Sequence, residues 1–448
     1  MKKSVTYLLI FCAILFSYAR GGAENQGKDQ FAIILTGGNI WDGKAEKLLG
    51  TMEILVKDGK IVEMGKSVSR PKGAKIIDLS GHTVTPGFMD CHVHMTCDPD
   101  NFVPSMLTKS ATSQVLFSLR GLRDVLMNGF TTVRDIAAFD LGYETVDLKR
   151  AIEAGEIVGP RMFVAPHLIS CTAGHGDPAG LLSPEFGSSL KAKAVGDSPD
   201  ELRKIVREEV RGGADWIKCC STGGFSSPSD DPSQITFTQE EMNAIVQAAH
   251  DFGIPVAVHA YGAEGIRRAV LAGVDSVEHG SLASPETLKL IERKGIYVVP
   301  TQYGFEPMLD NANNPKARYW ASHTPQEYFK TVKYADALRK GQKDLANSNV
   351  KIVYGTDTGT FPFKDNWKEF PAMVKNGITP LRALKAATSM AAEMLKRPDL
   401  GVLEVGKTAD IVAMPGNPFE DIEVTGKVDF VMKDGVIYKL NGRSVPQS

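Results

Sequence analysis

Two of the chain's nine histidines close one short apolar run, "GFMDCHVHM", as His92 and His94. On a β-strand alternate side chains share a face, so both imidazoles point the same way, about 7 Å apart along the strand. That spacing lets both reach one metal ion. An H-x-H pair alone also fits two half-exposed strand histidines, so the rest of the chain has to decide. Four further candidates end or interrupt apolar segments: Lys218 in "ADWIKCC", His259 in "IPVAVHAYG", His279 in "VDSVEHGS" and Asp357 in "VKIVYGTDTG". Nitrogen and oxygen donors without thiolate suit a divalent ion, with zinc the expectation. Four histidines and an aspartate exceed what one catalytic ion with an open position needs, and they suit two divalent metal ions. An ammonium cannot ligate a cation, but burial lowers a lysine's pKa. The neutral amine can then add carbon dioxide and become an anionic carbamate whose two oxygens could bridge two ions. An ion pair at a strand end is the other reading of Lys218.

The elements that must position these residues alternate along the chain. Apolar, β-rich segments recur at 88–94, 131–136, 161–166, 214–219, 255–259, 275–279, 296–300 and 351–356, with helical patterns between them. "TQEEMNAIVQAAHDFG" opens on Thr238 with Glu241 three positions later, a capping box. Eight strands each followed by a helix predict an α/β fold, a (β/α)8 TIM-like barrel over residues 87–399, against the competing open doubly wound sheet. In such barrels the active site lies at the C-terminal strand ends, where the six candidates fall. Residues 30–86 and 400–445 read instead as short strands with D-G, G-G and S-G turns. "VKDGKIVEMG" and "MKDGVIYKL" are alike, so both termini are expected to build one small composite β-sandwich domain.

Composition bounds the partners. The chain has 448 residues, 43% hydrophobic and 23% charged, with net charge −2 and no Lys/Arg-rich block. That excludes a nucleic-acid footprint and leaves a small-molecule substrate as the expected partner. Residues 1–23 read as a signal peptide: Lys2 and Lys3, an apolar core from Val5 to Phe16, then small residues near Ala19 and Ala23. The expectation is export to a periplasmic or secreted location, without stable membrane insertion after cleavage. The five cysteines beyond it, Cys91, Cys97, Cys171, Cys219 and Cys220, are odd in number and irregular in spacing. They are not a disulfide framework.

Taken in order, "PGFMDCHVHM", "WIKCCSTGG", "VAVHAYG", "VEHGS" and "YGTDTG" resemble the amidohydrolase superfamily in its binuclear form, from about residue 33 to 440. The resemblance implies that His92, His94 and Asp357 hold the more buried ion, that His259 and His279 hold the second, and that carboxylated Lys218 and a hydroxide bridge them. It implies a hydroxide nucleophile, with Asp357 passing its proton to the leaving group. Within the superfamily the chain is most similar to the prolidases and the Xaa-Pro and Xaa-Arg dipeptidases (imidazolonepropionase-like), through "AGHGDPAG" and "HAYGAEGIRRAV". The implied reaction is hydrolysis of the amide before a C-terminal amino acid in a dipeptide or N-acyl amino acid. His175 would polarise the scissile carbonyl, and Tyr261 and Arg267 would grip the α-carboxylate, for which arginine's fork of donors is suited. A lactonase, a cyclic-amidine hydrolase or a phosphotriesterase-like activity could use the same centre. Such proteins often assemble, and exposed barrel helices allow a homo-oligomer. Three long connections, 167–197, 220–236 and 302–328, could rim the pocket, the second being rich enough in Gly, Ser and Pro to serve as a mobile lid.

Overall fold

The structure is a computed structural model that describes residues 32–447 apart from 101–104, 106–107, 138–140, 188, 190–191 and 228. The expected signal segment lies outside the described residues. The eight expected parallel strands are all present. They are β1 (Phe88–Val93), β2 (Phe130–Ile136), β3 (Arg161–Ala165), β4 (Ile217–Cys220), β5 (Val256–Gly262), β6 (Ser276–Leu282), β7 (Tyr297–Val299) and β8 (Lys351–Ile352). Their ladder is not one continuous ring. β1, β2 and β3 form a three-stranded sheet, while a short continuation of β3, Leu168–Ile169, starts a six-stranded sheet that runs through β4 to β8. The break in β3 falls at Pro166, whose nitrogen has no hydrogen to give a ladder.

Hydrogen bonds cross both gaps between the two sheets. Beside β3, the Asp215 and Trp216 N–H groups donate to Val164 O at 2.8 and 3.1 Å. Beside β1, Cys91 N–H donates to Tyr354 O at 2.9 Å, Asp357 N–H to His92 O at 2.7 Å and His94 N–H to Thr358 O at 2.8 Å. The segment after β8 cannot keep strand geometry there. A Cβ on Gly355 would stand 2.2 Å from Val299 Cγ1 and 2.8 Å from His92 Cβ, and Asp357 has φ +67°. The carboxylate of Asp90, fully buried, fastens this crossing. It accepts from His92 N (3.3 Å), Thr356 N (3.1 Å), Thr356 Oγ1 (2.8 Å) and Asn366 Nδ2 (3.3 Å).

Arg134 spans the interior from β2. It donates to Cys91 O of β1 at 2.7 Å and to Ser276 Oγ and Glu278 Oε1 of β6 at 3.0 and 2.8 Å, with its guanidinium over the Trp216 ring. Both Arg134 and Glu278 have no exposed surface. This bond set joins the three-stranded sheet to the opposite strand of the six-stranded one. Around the strands lie capped helices. Pro199–Gly212 starts on Ser198 and stops at Gly213 with φ +103°, a left-handed end that favours glycine. Gln239–His250 carries the expected capping box of Thr238 and Glu241.

Strands from both ends of the chain share one nine-stranded sheet. The N-terminal strands supply Ile33–Ile40, Gly50–Lys57, Lys60–Gly65, Lys75–Asp78 and His82–Pro86. The C-terminal part supplies Ile411–Pro415, Phe430–Lys433, Val436–Leu440 and Arg443–Ser444. His82–Pro86 and Ile411–Pro415 pair antiparallel. The two similar Lys-Asp-Gly sequences are both tight hairpin turns. Asp58 and Gly59, like Asp434 and Gly435, have positive φ at both central positions, the geometry that matches strand twist. An apolar cluster including Ile54, Ile61, Ile411, Phe430 and Met432 packs this sheet.

Candidate metal centre

Five of the six expected ligands meet as a chain of contacting rings and carboxylate. One ligand atom from each of His92, His94 and Asp357 lies within 4.8 Å of the others. His94 Nε2 stands 2.8 Å and His92 Nε2 3.4 Å from Asp357 Oδ1. The His92 and His279 ring centroids are 5.0 Å apart, and His279 Nε2 lies 3.0 Å from His259 Nδ1. The outward nitrogens are tied from behind. His92 Nδ1 donates to Glu278 Oε2 at 2.9 Å, His94 Nδ1 donates to Ala137 O at 2.8 Å, and His279 Nδ1 is 2.7 Å from Thr301 Oγ1. Such bonds fix ring orientation and turn each Nε2 toward a shared point.

Four non-glycine residues around this point have left-handed backbone: Ala137, His279, Thr301 and Asp357, with φ of +77°, +70°, +47° and +67°. Each such conformation costs about 1–3 kcal/mol, and it persists where the surroundings over-determine it. Ala137, Thr301 and Asp357 follow parallel strands and His279 lies within β6, and each either is a candidate ligand or holds one.

Lys218 is the sixth. It is buried, and its Nζ has no hydrogen-bond partner. Burial, opposed by the attraction of Glu278, brings its amine down to about 8. Burial, followed by the charges of neighbours that include Lys218, holds His92, His259 and His279 well below the ordinary histidine value. Neutral imidazoles are the ligand form. Asp357 stays ionised: burial opposes its charge, but the hydrogen bond with His94, His92 and Lys218 together lower its pKa. Neutral imidazoles, one carboxylate and an orphaned buried amine make a donor set that fits divalent metal.

His175 and Tyr261 join the same cluster. The His175 ring stacks on His259 with centroids 4.3 Å apart, and Tyr261 stacks on His279 at 4.6 Å. Arg267 does not join it. Its guanidinium sits on the exposed side of the helix Ala263–Ala272, bonded to Glu264 at 2.7 and 2.9 Å, and it does not line the adjoining cavity. Arg268 also turns to Glu264 and to Phe237 O. An i, i+3 carboxylate on the same helix face accounts for the position of Arg267.

The sequence reading missed the groups that hold His175. Its Nδ1 donates to Asp230 Oδ2 at 2.9 Å. Burial works against the Asp230 charge, but His175, Ser227 and the Gly224 N–H together lower its pKa. Asp230 is carried by the loop 220–236, and Lys330 reaches into that loop from the helix Pro325–Ala346. The buried Lys330 Nζ donates to Gly224 O (2.7 Å), Ser227 O and Asp230 O (3.0 Å). Asp231 adds contacts to Lys333 (2.8 Å) and the Tyr334 hydroxyl (2.5 Å). The loop expected as a mobile lid is therefore pinned to a helix. Gly224 is required beside His175, since a Cβ there would lie 2.2 Å from His175 Cε1. No pattern near residue 175 announces partners 52–55 positions away.

A cavity of about 600 Å³ opens beside Asp357 and Tyr261, walled by Phe225, Phe305, Phe361 and Tyr303. The turn Tyr303–Phe305 at its wall is fixed by the buried Glu369, which accepts from Gln302 N and Tyr303 N at 2.8 and 2.6 Å. None of the five cysteines among the described residues forms a disulfide. Among the described residues no helix is long and apolar enough to cross a membrane.

A parallel α/β framework with a histidine and aspartate cluster at its C-terminal strand ends is the setting of a hydrolase site. The chain belongs to the amidohydrolase family, whose model matches residues 83–438, and it is an amide-bond hydrolase. Ochratoxinase of Aspergillus niger is 32% identical over 433 residues, covering 91% of this chain and 87% of that protein. A solved Xaa-Pro dipeptidase with methionine bound in its active site superposes with TM-score 0.85 at 34% identity, covering 91% of this chain and all of that one. A prolidase complexed with N-methylphosphonate-L-proline superposes at 0.80 with 32% identity over 91% of this chain and 100% of that one.

Proposed function

We propose that this chain is a binuclear metal-dependent hydrolase that cuts the amide bond before a C-terminal amino acid in dipeptides or N-acyl amino acids. The observation that carries it is the unpartnered amine of Lys218, buried near His92, His259, His279 and Asp357, the last of which lines an amino-acid-sized cavity. In this reading His92, His94 and Asp357 would hold one ion, His259 and His279 would hold the other, and Lys218, once carboxylated, would supply anionic oxygen to both. Zinc is the expected metal. When bound, the ions supply Lewis acidity and lower the pKa of water toward about 7.

The chain's own groups supply the rest. Asp357 Oδ1 faces both His92 and His94 and serves as the base that takes a proton from the attacking water and returns it to the leaving amine. With Nδ1 of His175 donating to Asp230, Nε2 would donate to the scissile carbonyl from the doubly protonated ring, whose charge the Asp230 carboxylate balances. Tyr261 adds a hydroxyl at the cavity wall. The same reading keeps a (β/α)8 barrel over 87–399, a composite β domain from 30–86 and 400–445, and export through residues 1–23. The parallel strand order and the sheet shared by both termini support the first two. The apolar run after Lys2 and Lys3 supports the third.

The substrate reading is tested by giving zinc-loaded protein alanyl-proline, alanyl-arginine and alanyl-phenylalanine, their N-acetyl versions, and the C-terminal amides of all six. Cleavage of free acids in preference to amides is the expected result. Cleavage of a lactone with no cleavage of any amide would move the function elsewhere on the same centre.

Carbamate formation has its own test. The amine adds carbon dioxide only when neutral, and its pKa of about 8 lies between the two assay pH values. At matched dissolved carbon dioxide, metal uptake by the stripped protein is expected to be roughly twentyfold faster at pH 8.5 than at pH 6.5, following the neutral fraction of the amine. Uptake that ignores bicarbonate at both pH values would rule out the carbamate.

A further inference from the structure

We infer that Arg318 is the residue that reads the substrate's free carboxylate, in the place that the sequence motif gives to Arg267. This rests on the reading that the chain cleaves an amide beside a carboxylate, and it names the group that makes the carboxylate matter.

The argument starts from charge in the cavity. Two acids line it, Asp357 and Glu327, and neither forms an ion pair with Arg318. Asp357 belongs to the candidate metal centre. Glu327 caps its own helix, accepting from Thr324 N at 2.5 Å and Thr324 Oγ1 at 2.9 Å. Arg318 lines the same cavity from the short 3-10 turn Arg318–Ser322 in the connection 302–328. Its side chain is exposed and, among the described residues, forms no ion pair or hydrogen bond. Exposed Arg123, Arg207 and Arg293 are unpaired too, but they lie away from the cavity, whose lining includes Arg318 as its arginine.

A guanidinium left unpaired at a cavity wall has all five donors available, in a planar fork that matches a carboxylate. The same cavity carries an aromatic wall: Phe225, Phe305 and Tyr261 meet edge to face, with centroids 5.0 to 5.8 Å apart. A substrate seated against that wall would shield its carboxylate and the exposed guanidinium from water as the pair forms, which strengthens it. The cavity also reaches Asp357, so one amino-acid-sized substrate could touch both the reacting centre and the guanidinium.

The test compares Arg318→Gln, Arg318→Lys and Arg267→Gln with the native sequence. Substrates are alanyl-phenylalanine, N-acetyl-phenylalanine and their C-terminal amides. The expected result for Arg318→Gln is a KM for the free acids raised about 10–100-fold, with kcat and all rates on the amides held within about twofold. Arg318→Lys should fall between, keeping charge but losing the fork. An unchanged KM for the free acids in Arg318→Gln overturns the inference, as does an equal loss on acids and amides. Loss of acid preference in Arg267→Gln alone returns the role to Arg267. If the native protein cleaves acids and amides equally well, carboxylate reading fails while amide hydrolysis stands. If it cleaves none of the four compounds while binding two equivalents of zinc, the proposed reaction falls and the role of Arg318 falls with it.

Discussion

Replacing Lys218 with alanine is expected to lower kcat/KM by about three orders of magnitude and bound metal from two equivalents toward one. The size follows from what the side chain would supply. Its carbamate would offer two anionic oxygens to two cations, and polarisation by such a pair contributes several kcal/mol, of which about 4 kcal/mol is a thousandfold in rate. The native side chain is buried and makes no hydrogen bond, so its removal breaks no network that would confuse the result. Lys218→Met retains most of the volume. A loss shared by both variants therefore points to the missing oxygens rather than to packing. Formate or propionate should restore part of the activity of the alanine variant, because a small carboxylate fits where the side chain was. Full metal content and full activity in both variants would reduce Lys218 to a structural lysine.

Arg134→Met is expected to cost about 3–5 kcal/mol of stability in denaturant melts, because it strands the Glu278 carboxylate without its cation. That is a large part of the roughly 5–15 kcal/mol by which folded domains exceed their unfolded states. Neither group has exposed surface, so water cannot replace the lost partner. Glu278→Gln is a milder change with a different readout. It keeps the shape and an acceptor for His92 Nδ1 but loses the charge at that contact, and metal affinity should fall about 10–100-fold. In the double variant both charges are gone, so part of the stability lost in Arg134→Met should return. If Arg134→Met melts within 1 kcal/mol of the native protein, the crossing from β2 to β6 is not what holds the two sheets together.

The candidate ligands were legible because they obey local rules. His92 and His94 share a face by strand alternation, and Lys218, His259 and His279 each sit on an apolar strand that periodicity finds. Asp357 was reached as the end of the apolar segment "VKIVYGTDTG", although β8 itself shrinks to two residues as Gly355 presses on His92. The break in β3 was signalled by Pro166 but went unread, since a single proline can also mark a strand's end. Tyr261 and His175 were placed by motif and meet the site. Arg267 was placed by motif and does not, because Glu264 one turn earlier takes its guanidinium. What no local rule reaches are pairings made by the tertiary fold. Asp230 to His175, Lys330 to the 220–236 loop and Arg134 to Glu278 each join residues more than 50 positions apart. Asp90 lay inside the first motif, yet its role depends on Thr356 and Asn366 far downstream.

The sheet shared by both termini also sets a clock for synthesis. His82–Pro86 is made early, and its antiparallel neighbour Ile411–Pro415 is made more than 300 residues later. At about 5–20 residues per second a ribosome needs some tens of seconds to supply it. Through that interval one edge of the early strands is open to any other nascent chain. Crowding of ribosomes on one message would then decide yield more than the stability of the finished enzyme does.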